Sequence, residues 1–266
     1  MLTYDQISFG CIPDQEDTRD ITYEPAKKLY KIQSKISLAN RATMPTVENQ
    51  YKTGSCSAHA RSSLQEFLIK NSNQKNNLYN EISRLHLYYW ARVLDNKGKE
   101  DDIEDSGCSL RSSCKTITQY GFVSECDINN PENSWPFFPN HINTRPPQSI
   151  NEAALKEANK TTYLKISNFD DALKCLNEGF PFIASFATFD DAIRESLINL
   201  GYIKYPKNPP KPITFHAIFV YGFEKEKFKF INSWGKLYGF GGYGTIDREY
   251  FETMNGGDFG WTVRLL

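Results

Sequence analysis

The chain has 266 residues, with 31 Lys and Arg against 32 Asp and Glu, and this near-neutral balance offers nothing to hold a nucleic-acid polyanion. Aromatic residues make up 14%, too many for a disordered chain, and the length suits one large domain or two lobes around a substantial core. No apolar run is long enough to cross a bilayer, and Met1-Leu2-Thr3-Tyr4-Asp5-Gln6 lacks the basic-then-apolar order of a signal peptide, so the expected location is cytoplasmic, or outside by another route.

In chain order, residues 1 to 31 are polar and turn-prone around Gly10-Cys11-Ile12-Pro13-Asp14. Residues 32 to 53 read as extended, with a short strand approach at Pro45-Thr46-Val47. Gly54 and Ser55 are breakers, and from Cys56 the residues are helix-compatible to about Lys70. A cysteine opening a helix lies at the positive end of the helix dipole, among N–H groups without intrahelical partners. Both features favour the thiolate, which is the nucleophilic form. After a polar break over residues 71 to 77, Ser83 to Arg92 has helical spacing, and its aromatics read as core. Lys97 to Asp105 reads as a solvated charged loop whose acids lack an ordered calcium-ligand pattern. Ser106 is the expected N-cap of a helix reaching Tyr120-Gly121.

Trp135-Pro136-Phe137 marks a turn at the lobe boundary, followed by a loop over 140 to 150 and a short helix over 151 to 159. Asp170 to Leu176 is a helix stopped by Gly179, Phe180 to Phe186 the first strand of the second lobe, and Thr188 to Leu200 a helix. A proline-rich loop then delivers the strand Thr214 to Tyr221, which carries His216, and a second strand from Phe228 ends at Asn232. With the hairpin centred near Glu224, His216 and Asn232 face each other, so the amide orients the imidazole across the ladder. That supplies a nucleophile, a base and an orienting group. The six cysteines contain no CxxC pair, which argues against structural zinc, and all six are expected to be reduced.

Gln50 through Ala60 resembles the active-site segment of papain-like cysteine peptidases. Asn232-Ser233-Trp234-Gly235, followed by Gly241-Gly242-Tyr243-Gly244, is similar to that family's second signature. The order Gln50, Cys56, His216, Asn232 matches as well. The resemblance covers roughly residues 32 to 266 and implies an α+β, two-lobed fold. Its helical lobe would span roughly 50–139 and an antiparallel, barrel-like β lobe roughly 140–260, with the cleft between them.

It further implies a cysteine endopeptidase without metal or organic cofactor. Cys56 would attack the peptide carbonyl, His216 would serve as acid and base, and Asn232 would hold the ring. Gln50 and the Cys56 backbone N–H would form the oxyanion hole. Trp234 would shield the Asn232–His216 contact, Ser106 and Gly107 would wall the substrate groove, and Phe215 would lie on its floor. Cys108 replaces the wall's second glycine, which narrows it; Ser57, Thr214 and Tyr238 are further departures. His59 is expected to be structural, while His86 and His141 have no assigned role. The expected partner is a peptide or protein substrate, with no nucleic acid, no membrane and a monomeric chain. Residues 1–31 either lie over the active site, as in some bacterial members, or strap the back of the fold. In the first case Cys11 could meet Cys56. Acyl transfer to an amine at the same site, or a non-catalytic relative of the fold, are the alternatives.

Overall fold

The structure, a computed structural model, describes residues 2–26, 32–39, 44–72, 81–127, 130–253 and 259–266. In chain order the elements are β1 (Cys11–Ile12), β2 (Lys35–Ser37), α1 (Cys56–Asn71), α2 (Arg84–Asp95), β3 (Cys108–Ser109), α3 (Leu110–Tyr120), α4 (Gln148–Leu155), β4 (Thr161–Ile166), α5 (Phe169–Asn177), β5 (Phe182–Thr188), α6 (Asp190–Ile198), β6 (Tyr202–Ile203), β7 (Thr214–Glu224), β8 (Lys227–Ile231), β9 (Tyr243–Asp247), α7 (Glu249–Thr253) and β10 (Gly260–Leu265). No described helix is long and apolar enough to cross a membrane.

Helix α1 is buried on every side from Cys56 to Ile69, so its polar residues need internal partners. Glu66 accepts from the Ile82 N–H and from Arg84, each at 2.9 Å, and Arg84 reaches Glu125 at 3.4 Å. This buried ion pair ties α1 to the start of α2. Helix α2 opens at Ser83, whose hydroxyl accepts from the His86 N–H, and the aromatic run Tyr88-Tyr89-Trp90 lies in the core as expected. On its other side α1 packs against β7, with Phe67 and Phe219 ring centroids 6.0 Å apart.

The sheet runs β4-β10-β5-β7-β8-β9-β6 and is antiparallel except for the β6–β9 pair; β1 and β2 add to β7, and β1 also pairs in parallel with β3. The mixture of helices with one large sheet is the expected α+β class. Phenylalanines 182, 186, 189, 228, 230 and 251 fill its main core cluster. Strand β7 is central, with β5 on one side and β8 on the other, so the backbone that carries His216 is held on both edges.

Several local expectations need correction. Ser106 does not cap α3. Ser109 does, accepting from the Ser112 N–H at 3.1 Å, because the backbone at Cys108–Ser109 is engaged with β1. The helix expected over 151 to 159 begins earlier, at Gln148, directly after two prolines, and Asn159 ends the segment in a left-handed conformation. Strand β4 was absent from the reading, which placed the first strand of this lobe at Phe180. Thr46-Val47 forms no strand; the bridge there joins Asn49 to Trp234. Part of the polar break, residues 73–77, lies outside the described residues.

The β7–β8 register also differs. The turn is Lys225–Glu226, both with positive φ, and an irregularity follows Val220, so Phe219 pairs with Ile231. His216 is paired with Phe186 of β5 rather than with Asn232. Asn232 nevertheless shares a face with His216, as a diagonal neighbour just beyond the end of β8.

Candidate active site

The loop before α1 is fixed by short polar contacts. The Thr53 N–H and hydroxyl both donate to the Gln50 carbonyl, at 3.2 and 2.7 Å, and Tyr51 takes a left-handed conformation. Ser55 precedes the helix, yet its hydroxyl bonds Thr53 and the His59 ring instead of capping. The first-turn N–H groups therefore lack a side-chain cap beside Cys56, where the helix dipole is most positive. His59 is buried, with Nδ1 on the Ser55 carbonyl at 3.0 Å and its ring edge-on to Phe137, which is the structural role expected for it.

From the sheet side, His216 Nε2 lies 2.8 Å from Asn232 Oδ1. That oxygen also accepts from the Ser233 N–H, so the amide oxygen is the atom facing the ring and Nε2 carries the hydrogen. Among the described residues His216 Nδ1 has no hydrogen-bond partner. Trp234 stacks on the imidazole at 4.5 Å and 27°, while Phe186 stands edge-on to it. Tyr238 stands edge-on to Trp234 at 5.1 Å. Gln50 is fully buried; its Oε1 accepts from Ser233, and Nε2 donates to the Thr53 carbonyl at 2.6 Å. The structure thus links Gln50, His216, Asn232 and Trp234 through Ser233, the His216–Asn232 bond and the ring stack, while Cys56 lies at the start of α1 beside the Ala217 and Gly10 backbones.

Part of the N-terminal segment passes through this site. The Ser8 carbonyl accepts from Gln50 Nε2 at 3.3 Å and from Trp234 Nε1 at 3.1 Å. Phe9 stands edge-on to both His216 and Trp234. The Gly10 carbonyl accepts from the Cys108 N–H at 2.9 Å, and Cys11 pairs with both Cys108 and Phe215. Backbone approaches backbone so closely that only glycine fits. A Cβ on Gly10 would lie 2.2 Å from the Gly54 carbonyl oxygen, and one on Gly107 2.0 Å from that of Gly10. Gly107 and Phe215 therefore flank Gly10 and Cys11 of this segment, and Ser106 is exposed.

Beyond the cleft the segment is anchored by Asp14, which accepts from Trp261 Nε1 at 2.6 Å and the Arg111 N–H at 3.0 Å. Arg111 in turn grips Asp20 with two nitrogens, at 2.8 and 2.6 Å. Ahead of the cleft, Leu2 and Ile7 are buried in the sheet-side core.

The covered site is electrically quiet. Cys56 is completely buried, and burial pushes its thiol up to about 11, although hydrogen bonds from the Ala217 and Gly10 backbones act in the opposite direction. Burial likewise drives His216 down to about 4 against the opposing bond to Asn232. At neutral pH both partners are uncharged in this arrangement.

The sequence reading missed three contributors. Asp105, assigned to a solvated loop, accepts from the Gly54 N–H at 2.8 Å and the Tyr88 hydroxyl at 2.6 Å, and Tyr88 accepts from the Gly107 N–H at 2.8 Å. This chain sets the spacing between the loop before Cys56 and the groove wall. Ser8 and Gly10 were missed because nothing local signals a long-range backbone contact. The position of Asp105, two residues before Gly107, was the available hint.

No family model matches the chain. Among solved structures it resembles xylellain, a cysteine protease from Xylella fastidiosa, with a TM-score of 0.79 and 24% identity over 97% of this chain and 96% of that one. It also resembles procathepsin B from Trypanosoma congolense, with a TM-score of 0.68 and 16% identity over 97% and 85%. The fold is therefore that of the papain-like cysteine proteases. Among curated proteins, an uncharacterized peptidase C1-like protein of Acanthamoeba polyphaga mimivirus is 29% identical, across 97% of this chain and 86% of the relative. Fold, motif order and this likeness make the chain similar to the papain-like cysteine peptidases.

Proposed function

We propose that the chain hydrolyses internal peptide bonds through a thioester on Cys56, and that the arrangement described above is its covered resting form. The observation that carries this reading is the Ser8 carbonyl. This main-chain carbonyl oxygen already accepts from Gln50 Nε2, the side-chain donor proposed for the oxyanion, and from Trp234 Nε1. Once the segment lifts, water and substrate reach Cys56 and His216, and the burial that keeps both neutral is relieved. Cys56 can then pass its proton to the vacant Nδ1 of His216, and the thiolate adds to the substrate carbonyl. Gln50 and the Cys56 backbone N–H hold the developing oxyanion, and His216 returns its proton to the leaving amine. His216 next deprotonates the water that cleaves the thioester. Asn232 keeps the ring in register throughout, so that Nδ1 and not Nε2 faces the sulfur. Cys108 and Phe215 offer backbone edges to an extended substrate, as they do to Gly10 and Cys11, and Gly107 leaves room for its approach.

The test is hydrolysis of an unstructured protein substrate by the chain and by Cys56→Ala. Cleavage that disappears in the folded variant supports the reading. Equal cleavage by both would place the nucleophile elsewhere.

A further inference from the structure

Three thiols meet where the N-terminal segment crosses the cleft. Cys11 and Cys108 are direct partners across the β1–β3 ladder. Cys11 and Cys56 share one packed cluster with Leu110 and Ala217, whereas Cys108 packs into the neighbouring cluster around Tyr88. The Cys11 sulfur lies within hydrogen-bond reach of the Ser57 hydroxyl, on the residue after the nucleophile, and within electrostatic reach of the Cys56 sulfur itself. All six cysteines are free, and Cys11 and Cys56 are both buried. A thiol on the covering segment is thus buried in the same packed cluster as the proposed nucleophile.

We propose that Cys11 is a resolving thiol for Cys56, so that peroxide converts the covering segment into a covalent, reversible lock on the active site. This rests on Cys56 being the reactive cysteine. In the open chain, the Cys56 thiolate attacks a peroxide oxygen; the O–O bond breaks, hydroxide leaves, and Cys56 becomes a sulfenic acid. When the segment returns, the Cys11 sulfur attacks the Cys56 sulfur. The S–S bond forms, the S–O bond breaks, and the departing hydroxide takes the Cys11 proton to leave as water. Two thiols and one peroxide give one disulfide and two waters. A dithiol reductant reverses the lock by thiol–disulfide exchange. The arrangement also protects the enzyme: a sulfenic acid without a nearby thiol goes on to the sulfinic acid, which reductants do not restore. In the covered form burial raises both thiols above their ordinary range, so the pair stays reduced until the segment opens.

The experiment treats the full reduced chain with hydrogen peroxide, maps its peptides without reduction, and follows activity before and after dithiothreitol. The expected result is a cross-linked peptide joining Cys11 to Cys56, a chain lighter by two hydrogens, and loss of activity that dithiothreitol restores. In Cys11→Ser the same dose should give sulfinic Cys56 and a loss that dithiothreitol does not restore. A Cys11–Cys108 cross-link, or reversible inactivation that is the same in wild type and Cys11→Ser, would overturn the proposal. The peptide map reads the cross-link whether or not the chain hydrolyses peptides. An inactive reduced chain that still forms the Cys11–Cys56 bond would count against the peptidase reading and not against the lock.

Discussion

Replacing Gly10 by alanine should loosen the covering segment without touching any group assigned to chemistry. The added Cβ would lie 2.2 Å from the Gly54 carbonyl oxygen, 2.4 Å from its Cα and 2.5 Å from its carbonyl carbon. These are all backbone atoms of the loop that positions Cys56, and that loop is held by the bond from Gly54 to Asp105. Gly10 itself does not use a positive φ, so the obstacle is the collision and not the backbone conformation. Overpacking of this kind costs about 1–3 kcal/mol. If that cost falls on the covered form alone, the open fraction rises by about 5- to 150-fold. When opening and closing are fast relative to reaction, labelling of Cys56 by an epoxysuccinyl probe rises by the same factor. The assay is the rate of adduct formation by intact mass, compared with the parent chain at equal probe concentration. An unchanged rate, in a variant whose circular dichroism matches the parent, would refute the claim that contact at Gly10 controls access.

Gln50→Ala removes a donor from the proposed oxyanion site and should lower kcat by about 10²–10³-fold, measured on a small peptide substrate so that binding changes little. Arg84→Met leaves Glu66 buried without its partner and should cost about 3–5 kcal/mol in urea unfolding; a loss under 1 kcal/mol would mean that water or Glu125 rearrangement compensates. Acid should favour opening through His216. Its covered-form value of about 4 lies below the ordinary 6.5, so the stabilisation of the covered form is fully present above 6.5 and is lost as pH falls toward 4. Nicking of residues 8–12 by an added acid-stable protease should therefore accelerate between pH 6.5 and 4, and a flat profile would contradict it.

The proposed catalytic constellation was legible in the sequence because its members sit in locally recognisable settings: a cysteine after loop breakers and before a helix, a histidine in an apolar strand, an asparagine where a strand ends. The His216–Asn232 contact was expected for a partly mistaken reason. The Lys225–Glu226 turn moves the register by three places and the irregularity after Val220 takes one back, a net two that preserves the face, so the two side chains still meet. Strand β4 was overlooked in spite of its Thr-Thr-Tyr-Leu-Lys-Ile composition, since its pairing partner, β10, lies almost a hundred residues away. Ser106 looked like a cap because its local pattern is good; the competing strand pairing of Cys108–Ser109 with Cys11–Ile12 is a tertiary event with no local trace. The same holds for the whole covering segment. Its course depends on three glycine backbones, Gly10, Gly54 and Gly107, meeting from distant parts of the chain. Asp105 is exposed, as the charge density of its run suggested, but composition gave no sign that its carboxylate also takes the Gly54 N–H and the Tyr88 hydroxyl.

The central claim is that Cys56 is the nucleophile beneath a removable cover. Its most direct measurement is peptide mapping of Gly10→Ala after reaction with one equivalent of an epoxysuccinyl probe. The account predicts a single adduct, on Cys56, formed faster than in the parent chain and absent from the double variant that also carries Cys56→Ala. An adduct on another cysteine, or none at all in the folded, opened chain, would contradict it.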